Sequence, residues 1–152
     1  MPDPRTATAV FCDDVRYEVS NKFSLIGIYQ ENMVFHANPP VLVPKLCTSF
    51  WLLSDIDDPI KHFCARVLLT SSGVDDVELV RYEFAEMPPL PTDKDDARKS
   101  ILRGTLAFGP FAIESVGYIE VWCETERDDI RAARLRVEFE SSDQPLETQV
   151  ET

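Results

Sequence analysis

An all-β fold, an antiparallel two-sheet sandwich of immunoglobulin-like architecture with about eight strands, is what this sequence predicts. Three observations point there. Apolar residues recur with period two in short runs rich in Val, Ile, Phe, Tyr and Trp. Pro, Gly, Asp and Asn break those runs at strand-length intervals. No amphipathic helical stretch lies between them, which argues against parallel β/α units and for two packed sheets. The Cys and Trp pattern of an antibody domain is absent, so the likeness is one of architecture.

The first strand covers residues 6–13. The next, 23–29, follows the turn residues Ser20 and Asn21 and is apolar on both faces, as in a central strand. Residues 33–36 add a short piece. The segment 38–44 holds Pro39, Pro40 and Pro44 and therefore crosses between sheets, since proline cannot pair in the middle of one. Residues 46–53 form a strongly apolar strand. After a loop at 54–59, residues 62–70 place Phe63, Ala65, Val67 and Leu69 on one face. Gly73 turns the chain into 77–84, whose inward face is Val80, Tyr82 and Phe84. The irregular stretch 86–99, with Pro88, Pro89 and Pro91, reads as a mobile surface loop. A strand at 101–108 ends at Gly109 and Pro110, and a hairpin of 118–124 and 130–139 closes the fold. Residues 1–140 make one domain, and 141–152 read as a disordered polar tail.

Phase fixes a register for that hairpin. Ile119, Val121 and Cys123 form one inward face, and Ala133, Leu135, Val137 and Phe139 the other. A three-residue loop, Arg127-Asp128-Asp129, then sets Cys123 opposite Ala133, Val121 opposite Leu135 and Ile119 opposite Val137. On the outer face Glu120 meets Arg136 and Trp122 meets Arg134. Arg127, Arg131, Arg134 and Arg136 thus read as cross-strand partners of Glu120 and Glu124 rather than as a phosphate site.

The chain has 152 residues, 44% hydrophobic and 28% charged, enough to bury a full core without staples. Its 27 acidic against 15 basic residues give a formal charge of −12, a field that repels phosphate backbones and anionic membranes. Nucleic acid and membrane are therefore not expected as partners. The N-terminal segment lacks the apolar run of a secretory signal, and nothing approaches the ~20 apolar residues of a membrane helix, so the expected compartment is the cytoplasm. Cys12, Cys47, Cys64 and Cys123 stand far apart with no CxxC, which reads as four buried thiols rather than a zinc site or disulfides.

Short stretches resemble a family of small uncharacterised bacterial proteins: FCDDVR at 11–16, KFSLIGIY at 22–29, Leu46-Cys47 with Trp51, and GYIEV at 117–121 leading to LRV at 135–137. The resemblance implies the sandwich and no chemistry, because those relatives carry a label of unknown function.

Candidate chemistry is sparse. Asp55, Asp57 and Asp58 in one loop and Asp75 and Asp76 in another flank the same strand at opposite ends, where they cannot converge on one calcium ion, so they read as solvated turns. Asp13 and Asp14 near Arg16 suggest acid–base chemistry but read as a polar strand end. His36 and His62 are isolated, and His62 with Cys64 lacks an orienting third group. No GxSxG, P-loop or GxGxxG is present. The expectation is a non-catalytic interaction module with no cofactor or metal, binding another protein or a copy of itself. The alternative is a small-molecule or metal-dependent site, binding or enzymatic, on loops at one end of the sandwich.

Overall fold

Alternation in LCTSFWLLSD sends Leu46, Thr48, Phe50 and Leu52 to one side of a strand. The computed structural model, which describes residues 3–84 and 98–140, buries all four. The described residues are all-β: β1 Thr6–Tyr17, β2 Phe23–Ile28, β3 Asn32–Phe35, β4 Val41–Val43, β5 Leu46–Asp55, β6 Phe63–Ser71, β7 Val74–Phe84, β8 Lys99–Phe108, β9 Phe111–Ile113, β10 Gly117–Thr125 and β11 Asp129–Phe139. They form a four-stranded sheet in the order β2-β1-β5-β8, a five-stranded sheet β3-β11-β10-β6-β7, and the small pair β4-β9. All neighbours run antiparallel except β3, which lies parallel to β11.

Eleven strands in three sheets exceed the eight expected in two. The excess comes mainly from β4 and β9, three residues each, too short to show alternation; they pair with one another and bury Val43 and Ile113 in the core. The segment expected to cross between sheets therefore contains a strand. β1 is four residues longer than the expected strand, because Asp14 to Tyr17 pair with β2 instead of ending the element. Lys99, expected in a loop, opens β8 opposite Asp55. Most of the expected loop and the whole 141–152 tail lie outside the described residues.

The inner faces of the two larger sheets meet. Phe11, Leu46, Val67, Ile119, Val121, Leu135 and Val137 share one cluster; Phe50, Leu52, Phe63, Ala65 and Cys123 share a second. Phe63 stacks on Phe50 at 5.5 Å and lies tilted against Phe84 at 5.4 Å. Each such side chain contributes about 1.5–3 kcal/mol by leaving water. Gly104 on β8 admits this stack, since a Cβ there would lie 2.4 Å from the Phe50 ring. Val80, Tyr82 and Phe84 do share the face of Phe63, Ala65 and Val67, but Tyr82 is half exposed because β7 is the sheet's edge.

The closing hairpin has a different register from the expected one. Ile119 pairs with Leu135, Val121 with Ala133 and Glu120 with Arg134, a shift of two residues, and the loop is Glu126-Arg127-Asp128. Between Val121 and Trp122 the register slips, so that Ala132 is extra and Trp122 opposes Arg131. The bulge flips the phase of β11. Ile130 packs inward before it, and Leu135 and Val137 after it.

Candidate functional site

β1 changes partner at Cys12: residues 6–12 pair with β5, and residues 12–17 pair with β2. The β1–β2 hairpin then folds across the outer side of β5. Asp13 accepts a contact from the Cys47 thiol on its carbonyl at 3.7 Å, and the Arg103 guanidinium of β8 lies 5.7 Å from the Phe23 ring. Tyr17, Lys22 and Phe23 from the hairpin end line one cleft together with Arg103 and Thr105.

The sequence produces this fold-over locally. Gly27 is in the left-handed region at φ +70°, and a Cβ on it would lie 2.3 Å from the Asp13 carboxylate. The Tyr29 hydroxyl donates to Asp13 at 2.9 Å, while its N–H donates to the Phe11 carbonyl at 2.9 Å. Burial, then the bond to Asp13, pushes the Tyr29 phenol up to about 12. Lys45 donates to Asp14 at 2.6 Å, which lowers the carboxyl and raises the ammonium. At the tip Ser20 and Asn21 both take positive φ, as the turn residues of the sequence require.

Two consequences follow for the outer side of the four-stranded sheet. Cys12, Cys47 and Ser49 face away from the core yet are fully covered, and the Ser49 hydroxyl has no partner. Above them the hairpin presents Tyr17 (76% exposed), Val19 (81%), Ile26 and Ile28 to solvent, and β8 adds Ile101. Exposed apolar groups therefore stand on both faces of the covering hairpin, Tyr17 on the face of Phe23 and Ile26 and Ile28 on the other.

The outer side of the five-stranded sheet is a lattice of ions. Glu120, nearly buried, accepts from Arg131 at 3.0 Å and sits 3.4 Å from Arg134, whose guanidinium lies 3.5 Å from the Tyr118 ring centroid. Arg66 spans Glu124 and Asp129 and lies 5.9 Å from Trp122. The expected pairs are thus replaced: Arg136 binds Glu138 at 2.9 Å along its own strand, and the cation over Trp122 is Arg66. Beside this lattice, Thr70, Ser71, Ser72, Gly117, Arg134 and Arg136 line a cleft of about 410 Å³.

The remaining candidates are dispersed. Asp55 is held by Lys99 and by the Asp3 N–H, and Asp58 by Arg127 and Arg5. These two are ion-paired rather than solvated, whereas Asp75 and Asp76 stand exposed on β7. Arg5, which no pattern singled out, is fully buried and donates to Thr125 at 2.9 Å, Glu126 at 2.6 Å and the Pro59 carbonyl at 3.2 Å. Burial alone would raise Glu126, but Arg5 and the N–H groups of Lys61 and His62 hold it down at about 2. His36 pairs with Glu140 at 3.1 Å, far from His62. All four cysteines are free and buried, as their spacing predicts. Among the described residues no cluster of His, Cys, Asp and Glu could hold a metal ion, and no helix is long and apolar enough to cross a membrane.

No protein-family model matches the chain, and no curated protein matches its sequence.

Proposed function

We propose that this chain is a non-catalytic interaction module, an immunoglobulin-like sandwich that binds another protein or a second copy of itself through the folded β1–β2 hairpin. The supporting observation is the concentration of Tyr17, Val19, Ile26 and Ile28 in solvent on one hairpin. A monomer gains nothing from holding four large apolar groups in water on so small an element, and a partner that covers them gains about 25 cal/mol per Å². The net charge of −12 turns this module away from nucleic acids and towards basic or neutral protein surfaces. A cytoplasmic location and kinship with the small bacterial family belong to the same proposal.

Light scattering across a concentration series, repeated with Val19→Asp combined with Ile28→Asp, tests the self-association form. Concentration-dependent dimers that the double variant loses support it. A strictly monomeric wild type removes it, and a partner whose complex survives the double variant removes the hairpin as the contact.

A second reading, a small-ligand site on loops at one end of the fold, is favoured by the cleft at Arg134 and Arg136 beside the turn of Ser71 and Ser72. Its ligand would be a small anion held by guanidinium forks and hydroxyls. A thermal-shift series with inorganic phosphate and carboxylates distinguishes it, because only a ligand of the native state raises Tm.

A further inference from the structure

We propose that Cys12 and Cys47 form a dithiol site that a small peroxide converts to a reversible cross-strand disulfide beneath the β1–β2 hairpin. The two residues are direct register partners on neighbouring antiparallel strands. Opposed positions on such strands have Cα atoms about 4.5 or 5.5 Å apart and side chains on the same face. Both separations fall within the roughly 4.4–6.8 Å that a disulfide spans. Each residue is covered by the hairpin and not by the core.

The other two cysteines supply an internal control. Cys64 and Cys123 also lie on adjacent strands, but Cys64 opposes Glu124 and Cys123 opposes Ala65. One residue out of register, their thiols leave opposite faces of the sheet and cannot meet without backbone movement. The fold thus allows one disulfide and forbids the other.

Surroundings distinguish the two members of the pair. Burial raises both thiols, the Asp13 and Asp14 carboxylates raise both further, and each thiolate is favoured by one backbone N–H, that of Asp14 for Cys12 and of Val15 for Cys47, but the Lys45 ammonium acts more strongly on Cys47 than on Cys12. Cys47 is therefore the attacking sulfur. Its thiolate takes hydroxyl from the peroxide to give Cys47 sulfenic acid, and the second peroxide oxygen leaves as water with the thiol proton. The Cys12 sulfur then displaces the sulfenic hydroxyl, which leaves with the Cys12 proton as a second water. Two electrons pass from the thiol pair to the peroxide. Two equivalents of a small thiol reverse the step by exchange. Because the hairpin covers both sulfurs, the reaction proceeds only as fast as the hairpin lifts, and this holds whether or not the exposed side of the hairpin binds a partner.

The test is a non-reducing peptide map of the folded, full chain after hydrogen peroxide. The expected product is lighter by two hydrogens, titrates two thiols in place of four, contains one linkage, Cys12 to Cys47, and recovers all four thiols in dithiothreitol. Cys64→Ser must leave that linkage intact and Cys12→Ser must abolish it, leaving a Cys47 sulfenic acid that a dimedone-type reagent traps. Four thiols surviving a dose that oxidises exposed methionine, a linkage through any other pair, or sulfinic acid at Cys47 in the wild type would overturn the proposal. The wild-type map decides the matter even where Cys12→Ser does not fold.

Discussion

The two outer faces of this fold solve the same problem in opposite ways. Both sheets turn one side to solvent. The five-stranded sheet covers its side with long charged chains, and Glu120 is nearly buried under the arginines that neutralise it. The four-stranded sheet buries Cys12, Cys47 and Ser49 on that side under a hairpin that itself holds Tyr17, Val19, Ile26 and Ile28 in solvent. A polar lattice ends at the solvent. A backbone cover passes the exposure on to the next layer, where Ile26 and Ile28 stand in solvent.

Breaking the cover should have the largest effect. Gly27→Val forces a β-branched residue to φ +70° and drives its Cβ into Asp13, so it should cost about 2 kcal/mol in urea denaturation, with early loss of amide protection in β2. A cost below about 0.5 kcal/mol would mean that the hairpin is not held by Asp13 and Tyr29. Acid should act next, and on the other sheet. Glu126 has a depressed pKa of about 2 against an ordinary 4.5, so its stabilisation is present above pH 4.5 and disappears as pH falls through 2. The β10–β11 turn should therefore lose amide protection over that window, and Glu126→Gln should flatten the profile. Within the lattice, Glu120→Gln should cost about 1 kcal/mol and less in 1 M salt, because one carboxylate serves two arginines. Salt-independent loss would show packing in place of charge. The smallest effect belongs to Val19→Asp, which should stay within about 0.5 kcal/mol of wild type because it sits in open solvent, and should act on association alone.

Strand existence was legible because alternation is strong where both neighbours are strands. The inward set Phe63, Ala65 and Val67 is buried as read, and the tip of the first hairpin is where Ser20 and Asn21 place it. The closing register was misread by two residues, because the loop differs from the expected one and a bulge follows it. An odd-numbered inward face was extended across all of β11, whereas Ile130 is even-numbered and apolar, and that phase conflict is the mark of the bulge at Ala132. Local signals do not reveal that β1 changes partner at Cys12, since Asp13 and Asp14 look like a strand end when the fold-over above them is unseen. Arg5 was equally hidden. A single arginine near a terminus carries no periodicity, and its partners Asp58, Thr125 and Glu126 are more than fifty residues away in sequence.

The parallel pairing of β3 with β11 sets an order of events during synthesis. Met33 and Phe35 leave the ribosome early, yet the edge they dock on, Val137 and Phe139, is among the last of the described residues to emerge. Until then β3 is a bare strand edge with no neighbour of its own, and closing that contact needs a loop of about a hundred residues, the kind of long-range pairing that slows folding. The nascent chain thus holds one edge open until β11 is made, and a pause in translation before β11 would prolong its exposure to other chains.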